Sequence, residues 1–483
     1  MLELPAPSLS SCSGHANLSL RSQILFDEDG DPDPDNIWSA LFGWHARRVH
    51  ECGHWVRYHG TTIGLALTTL RDARDRTAQS VFAELDAADK RHLSDLRRGG
   101  RGIFRFGNHD DDPSTLGEDI ALWAQIWLDL YYTYHFLLDA EPLHNLGWGV
   151  GDAVNGGLAD AWLHLTMKNG PGLPYPGNDA ARSCIVDEPT ASAFRGCPIT
   201  TRCLLECASS LDELRVLSHS IVRDNAPDLQ RMAVMALAGT DYGLPVRAAL
   251  ETNHPPSMNT VLALIDFALN PPIPGISFGE GRMAWAELYP PQRFELALLF
   301  RDPQFDISPD PTSDELLHYR RSLEVQTGLR YGVVAHPLSS SHSLSAVLDD
   351  LDQGRCGVRG VLLYIASTML AYRDNDPGLI SHFGAVFQGD EAVRMLDYHE
   401  WNDVLLPFVE DRGGKFSYAA HLDERSALAF ASQVAGAAAT DDVVNGVGPL
   451  TLDHLPRDFG QRFGDQLAYE ISQRFGVEVS AAL

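Results

Sequence analysis

The chain contains the stretch WHARRVHECGHWVRYHG from Trp44 to Gly60, in which His50, Glu51 and His54 form the pattern H-E-x-x-H. On a helix with 3.6 residues per turn, the two histidines lie one turn apart, so both imidazoles can face one ion. A carboxylate beside the first histidine can take a proton from a water molecule at that ion. The pattern therefore predicts a helix that carries two metal ligands and a general base.

Apolar residues flank this pattern at helical spacing and predict that the helix is buried. They are Ile37, Ala40, Leu41, Trp44, Val49, Leu65 and Leu67. Gly60, Thr61 and Thr62 then predict a break that ends the helix. Buried imidazoles and a buried carboxylate need partners, so the alternative to a metal site is a pair of core histidines with other polar partners.

The five-residue pattern resembles the active-site motif of the H-E-x-x-H zinc metallopeptidases, the zincins. The resemblance covers these residues and hardly any of the rest of the chain. It implies that His50 and His54 bind Zn²⁺, that Glu51 is the general base, and that the reaction is hydrolysis of a peptide or amide bond.

The third ligand expected for such a site is Glu206. It is the one carboxylate in the nearly uncharged helical segment 199–208, where an ionised side chain is costly to bury unless it is paired, protonated or metal-bound. Glu206 is similar to the third ligand of the gluzincin branch, a glutamate on a later helix. The long gap after His54 departs from that branch, as does Ser210, which stands where an acid is common.

Two alternatives to this third ligand remain open. Glu206 could instead form a salt bridge with Arg202, one turn earlier. His59 could be the third ligand only if the helix unwinds before Gly60, because five residues past His54 it points about 140° away. The metzincin branch is disfavoured, since Arg57 occupies the position of its glycine.

A different class of metal enzyme uses an E-x-x-H pattern, for which three occurrences in this chain are candidates. Non-haem di-iron carboxylate proteins combine two such patterns with two further glutamates on facing helices, and a site of this kind would make an oxygenase or oxidase. Prolines interrupt the second pattern and follow the third, and His50 is left without a role. The residues concerned are Glu51 with His54, Glu141 with His144, Glu251 with His254, and Glu118 and Glu206.

Two other functions are weaker alternatives. Residues 275–279 fit G-x-S-x-G, the nucleophile elbow of serine hydrolases, but prolines occupy the place of the strand that must precede it. The chain could also be a non-catalytic helical binding protein in which a metal is structural or absent. For the hydrolase, a Tyr or His should stabilise the developing oxyanion, and Tyr58, Tyr134 and His219 are candidates that the sequence does not rank.

Composition restricts the partners and the compartment. The 483 residues include 37 basic and 65 acidic ones, a formal net charge of −28, which disfavours nucleic acid and anionic membrane surfaces as partners. We expect a peptide, protein or amide substrate. No stretch is apolar enough to span a membrane and the N-terminus does not resemble a signal peptide, so we expect a cytoplasmic protein. Its seven cysteines then need not be paired, and the four between Cys184 and Cys207 are expected to be small buried hydrophobes.

The predicted fold is mainly α with a minor β component (α+β). Short strands are expected in His15–Phe26 and Tyr331–Val334. Three segments are predicted: a polar acidic N-terminal segment, residues 1–36; a zincin-like helical metal-binding catalytic domain, residues 37–270; and a mostly helical C-terminal half, residues 271–483. The run of prolines from Pro271 to Pro274 marks the second boundary.

Overall fold

The computed structural model describes a large part of the chain. The described residues are 15–17, 34–82, 84–85, 87–98, 118–139, 154, 156–158, 161, 198–221, 226–273, 284–332, 358–386, 408–410, 416–418, 450–451, 464–466, 468–469, 471–473 and 479–480.

The described part is mainly α-helical, as predicted. Before the proline run the helices are α1 (Pro34–His59), α2 (Thr62–Val81), α3 (Ala87–Arg98), α4 (Glu118–Asp139), α5 (Thr201–Ile221), α6 (Ala226–Ala238), α7 (Leu244–Leu250) and α8 (Met258–Leu269). After it come α9 (Trp285–Leu288), α10 (Pro290–Phe300), α11 (Ser313–Thr327), α12 (Val358–Asn375), α13 (Gly378–Ser381) and α14 (Phe383–Val386).

The described strands have only two or three residues each. They are β1 (His15–Asn17), β2 (Phe408–Glu410), β3 (Phe416–Tyr418), β4 (Leu450–Thr451) and β5 (Val479–Ser480). In the first sheet β1 pairs in parallel with β2, which pairs antiparallel with β3; β4 and β5 form a parallel pair. Elements this short do not establish the minor β component, which stays a prediction.

The break between α1 and α2 lies where the sequence predicts it. The amide of Gly60 still donates to the carbonyl of Val56, 2.7 Å away, and helix α2 then begins at Thr62. Thr61 is extended and caps α2, because its hydroxyl accepts from the amide of Gly64 at 3.3 Å. A Cβ on Gly64 would lie 1.5 Å from the carbonyl oxygen of Tyr58. Only glycine therefore permits this close approach of the two helices.

The hydrophobic core packs α1 against α5 and α2 against α4. It contains side chains from before the proline run, such as Leu67 and Leu204, and from after it, such as Phe294 and Leu370. Ile273, within the run itself, is also buried in this core. The division of the chain at residues 270 and 271 stays a prediction.

Asn270, at the end of α8, is a buried hub that holds the α1–α2 junction in place. Its side-chain oxygen accepts from the amide of Thr62 at 3.0 Å and from the guanidinium of Arg373. Arg373 also donates to the carbonyl of Gly60 at 3.4 Å, and the hydroxyl of Thr62 donates to the carbonyl of Pro271 at 2.6 Å. Two separate segments, residues 270–271 and α12, therefore fix the end of α1.

In the described part of the chain, no helix combines the length and the apolar character needed to cross a membrane.

The hub predicts a large loss of stability when Asn270 is replaced with Ala. The amide of Thr62 and the guanidinium of Arg373 would lose a buried acceptor, and each unsatisfied group costs about 1–3 kcal/mol. We expect the free energy of unfolding, measured by urea denaturation, to fall by about 3 kcal/mol. The control is Asn253→Ala at an exposed position, which should change it by less than about 0.5 kcal/mol. Equal effects of the two changes would contradict the role of the hub.

Candidate metal centre

Helices α1 and α5 face each other through two polar stripes. Residues three or four positions apart share a face of a helix, and this spacing places Arg47, His50, His54 and Arg57 along α1, and Glu206, Ser209 and Glu213 along α5. All of these side chains are buried. The polar groups must therefore find their partners in the contact between the helices.

Gly53 permits this close contact. A Cβ at this position would lie 3.2 Å from the hydroxyl of Ser209 and 3.4 Å from a carboxylate oxygen of Asp212, both on α5. The first distance is tighter than most contacts of a Cβ atom, so a larger residue would require its neighbours to shift by a few tenths of an ångström. The glycine between the two histidines thus lies at a close contact with α5.

The structure brings His50, His54 and Glu206 together. The Nε2 atoms of the two histidines are 3.0 Å apart. Glu206 Oε2 lies 3.0 Å from Nε2 of His54 and 3.7 Å from Nε2 of His50. All three ligand atoms lie within 4.8 Å of one another, and Glu206 Oε1 has no hydrogen-bond partner among the described residues. The arrangement can hold a metal ion.

Two further residues of α5 lie close to the Nδ1 atoms of the two histidines. Glu213 Oε2 lies 3.0 Å from Nδ1 of His50, and the hydroxyl of Ser209 lies 3.2 Å from Nδ1 of His54. Partners at Nδ1 hold the proton on that nitrogen and leave Nε2 able to bind a metal. Sequence reasoning missed both residues, although Glu213 follows Glu206 by two helical turns.

The charges of the centre shift the pKa values of its residues. Burial opposes the charged form of His50, but contacts with Glu206 and Glu213 outweigh it and raise the pKa of His50 from 6.5 to about 9. Burial alone would raise the pKa of Glu206. The charge of His54 and hydrogen bonds from both histidines hold that pKa well below its ordinary range. The carboxylate of Glu206 is therefore ionised.

The predicted general base, Glu51, is buried beside the first histidine. Arg47, one turn earlier on α1, forms an ion pair with its Oε1 atom. The negative charge of Glu51 also contributes to the raised pKa of His50. Glu51 thus shares the electrostatic environment of the proposed ligands.

An adjacent ion pair fixes α1 against its neighbours. Arg57 Nη1 lies 2.5 Å from Oδ2 of Asp212 on α5, and its Nη2 donates to the carbonyl of Ser381 at 3.1 Å. A Cβ on Gly384 would lie 2.8 Å from Asp212, so α14 also packs tightly against this pair. The contacts lie one turn beyond His54 and stabilise the helix that carries the ligands.

No family model, no curated protein and no solved structure matches this chain. The chemistry of the centre is therefore inferred from its geometry.

The structure shows neither of the two alternatives that were open for the third ligand. The salt bridge predicted between Arg202 and Glu206 is wrong, because Arg202 forms a bidentate pair with Asp139 at 2.5 and 2.8 Å. Helix α1 is continuous to His59, whose ring packs on Trp55 with centroids 4.0 Å apart. His59 does not belong to the group of His50, His54 and Glu206 that could hold a metal ion.

The cysteines near the centre are buried thiols. Cys52, Cys203 and Cys207 do not form disulfides. Burial raises the pKa of Cys203 to about 12 and that of Cys207 well above its ordinary value, and Cys203 Sγ faces the carbonyl of Asp241 at 3.3 Å. Protonated thiols are poor metal ligands. The expectation of small buried hydrophobes is confirmed for Cys203 and Cys207, whereas Cys184 and Cys197 lie outside the described residues.

The other candidate motifs are not brought to this centre in the described part of the chain. Glu251 and His254 are exposed near the end of α7, unlike the buried ligands that a di-iron site requires. Glu141, His144 and residues 275–279 lie outside the described residues, as does the side chain of Glu118.

The structure describes two of the three side chains predicted as candidates to stabilise the oxyanion, those of Tyr58 and Tyr134. Tyr58 lies in the hydrophobic core with its ring against His59. Tyr134 is partly buried beneath the guanidinium of Arg74, 5.6 Å from the ring centroid. The side chain of His219 lies outside the described residues. The contacts of Tyr58 and Tyr134 do not place either ring at the group formed by His50, His54 and Glu206.

The contact between Glu213 and His50 predicts that Glu213 supports metal affinity. Replacing Glu213 with Gln keeps the size of the side chain but removes its charge, and changes to residues that orient metal-binding histidines typically cost about 10–100-fold in affinity. We expect the Kd for Zn²⁺, measured by competition with a chelator, to rise about 10-fold. Glu295→Gln, which removes a charge from an exposed position of α10, should leave it unchanged. An unchanged Kd in Glu213→Gln would remove Glu213 from the centre.

Proposed function

We propose that His50 Nε2, His54 Nε2 and Glu206 Oε2 hold one Zn²⁺ ion and that the protein is a zinc-dependent hydrolase of peptide or amide bonds. The observation that carries the proposal is the convergence of these three atoms. Zinc bonds of about 2.0–2.1 Å at tetrahedral angles separate ligand atoms by about 3.3 Å. The observed separations of 3.0, 3.0 and 3.7 Å are close to this value on either side.

The formal charges of the centre favour a divalent cation. With both histidines neutral, Glu51, Glu206 and Glu213 together carry −3 and Arg47 carries +1, which leaves a formal charge of −2 in a buried region. Without a metal, protonation of His50, whose pKa is raised to about 9, offsets part of this charge. Uncompensated buried charge is costly. An ion of charge +2 neutralises the centre while both histidines stay neutral, which is the form in which imidazole binds metals.

The donor set favours zinc among divalent ions. Two imidazoles and one carboxylate, with one position left for water or substrate, are typical of catalytic zinc sites, whereas closed structural sites are rich in cysteine thiolates. Cys203, one turn before Glu206 on α5, directs its Sγ to the carbonyl of Asp241, 3.3 Å away. This argues for a catalytic site.

The proposed reaction assigns separate tasks to the ligands and to Glu51. A bound Zn²⁺ supplies a Lewis acid that polarises a carbonyl group and lowers the pKa of water. Glu51 accepts the proton of the attacking water. Its neighbour in the chain, His50, is one of the proposed ligands, so the base lies close to the metal site. Glu213 and Ser209 orient the two imidazoles through their Nδ1 atoms.

The proposal extends to the class of substrate and to the compartment. The strongly acidic composition disfavours nucleic acid, which leaves a peptide, a protein or a small amide as the substrate. The thiols of Cys203 and Cys207, which form no disulfide, accord with a reducing compartment, and we include a cytoplasmic location in the proposal.

The general-base role predicts that Glu51→Gln abolishes hydrolysis and retains the metal. The change removes the proton acceptor but no ligand, and general-base catalysis contributes about 10²–10⁴-fold in rate. Hydrolysis of a fluorogenic peptide library and zinc content by elemental analysis measure the two effects. The control Glu84→Gln alters an exposed carboxylate. Wild-type rates in Glu51→Gln would refute the mechanism.

The ligand role predicts that Glu206→Gln loses most of the zinc. A neutral amide replaces the ionised ligand, so elemental analysis of protein purified without chelators should find about one zinc per wild-type chain and far less in the variant. Glu251→Gln is the matched control, since Glu251 belongs to an E-x-x-H pattern but is exposed. Full occupancy in Glu206→Gln would rule out this ligand. Two irons per wild-type chain, lost in Glu251→Gln, would favour the di-iron enzyme.

A further inference from the structure

Two arginines, Arg47 and Arg57, lie on the same polar stripe of α1 as His50 and His54. They have different partners. Arg57 is held by Asp212 at 2.5 Å and by the carbonyl of Ser381, and neither partner takes part in the proposed reaction. Arg47 is paired with Glu51, the group that takes up a proton. The charge next to Arg47 therefore changes during the reaction, whereas the charge next to Arg57 does not.

Arg47 is also close to the group that would activate the water. Its guanidinium contacts Glu51 directly, so a substrate carbonyl that reaches Glu51 comes close to the guanidinium.

We propose that Arg47 is a catalytic residue, in which the guanidinium that now pairs with Glu51 binds the oxyanion formed at the substrate carbonyl. This inference rests on the proposed hydrolase function. It gives the oxyanion role to a residue that the sequence did not suggest, in place of Tyr58, Tyr134 and His219.

The charge balance of the reaction step supports this role. An O–H bond of water breaks and its proton goes to Glu51, while the water oxygen forms a bond to the carbonyl carbon. The π pair of the carbonyl bond moves onto the carbonyl oxygen. One negative charge thus disappears from Glu51 as one appears on the substrate.

Arg47 can interact first with the negative charge on Glu51 and then with the negative charge on the substrate. Before the step its attraction is to Glu51, which becomes neutral when it is protonated, and the new attraction is to the oxyanion. An interaction that is stronger in the transition state than in the ground state accelerates the reaction. The same guanidinium therefore holds the base in place at rest and stabilises the product of its action.

The test uses inorganic phosphate as an anionic probe on the zinc-loaded full-length protein. Isothermal titration should show phosphate binding at least about 10-fold weaker in Arg47→Gln than in the wild type, because a charge-assisted hydrogen bond is lost. Arg47→Lys should retain part of the affinity, and it replaces Arg47→Gln if that variant does not fold. Imidazole, a neutral probe of the same metal, should bind all variants within about twofold.

A matched control is Arg76→Gln, because Arg76 also pairs with a carboxylate one turn away, Asp72 at 3.1 Å, but lies on α2. It should leave phosphate affinity unchanged. Equal phosphate affinity in Arg47→Gln and wild type, or no phosphate binding by the zinc-loaded wild type, would overturn the role of Arg47 and leave the zinc site standing. A wild-type protein that binds no zinc, measured beforehand, would instead overturn the proposed function.

Discussion

The buried carboxylate of Glu206 is the group on which the centre depends. It is 2% exposed and lies between Leu205 and Cys207 on α5, where an ionised group without compensation would cost several kcal/mol. The histidines of α1 supply that compensation, since Glu206 Oε2 lies 3.0 Å from Nε2 of His54. The requirement to compensate this charge therefore constrains how α1 and α5 pack.

Small residues and ion pairs make that packing possible. Gly53 has no side chain to separate the helices, and Arg57 and Asp212 form an ion pair one turn beyond His54. The far end of α1 is fixed by Asn270 and Arg373 through the backbone next to Gly60. With α1 held in this way, the imidazoles need little rearrangement to bind an ion, which reduces the entropic cost of binding.

The sequence predicts the local features of this centre and misses those that depend on contacts between distant segments. Helical spacing was enough to predict α1 and the pairing of His50 with His54, and an isolated charge in an apolar segment pointed to Glu206. Glu213 and Arg47 carry the same helical spacing, but charged residues are common on helices, so spacing alone does not separate them from a solvated face. The role proposed for Glu213 becomes visible only when α1 and α5 are seen together.

The hub at Asn270 shows the same limit. An asparagine before two prolines is typical of a helix end and a turn, and nothing local indicates that its side chain accepts from Thr62 and from Arg373, over one hundred positions away in sequence. Likewise, the Arg202 salt bridge followed the rule for residues one turn apart. The structure pairs Arg202 with Asp139 on another helix because a bidentate contact is stronger than a single one.

The close approach of three ligand atoms separates this site from a pair of ordinary core histidines. The Nε2 atoms of His50 and His54 are 3.0 Å apart, and Glu206 Oε2 lies 3.0 Å from Nε2 of His54. Without a metal, protons on the imidazoles compensate the carboxylate, which is why the pKa of His50 is raised and the pKa of Glu206 is lowered. A proton can be shared by two of the three atoms, whereas a divalent cation would contact all three at once. A bound cation would therefore take over the compensation that these protons provide.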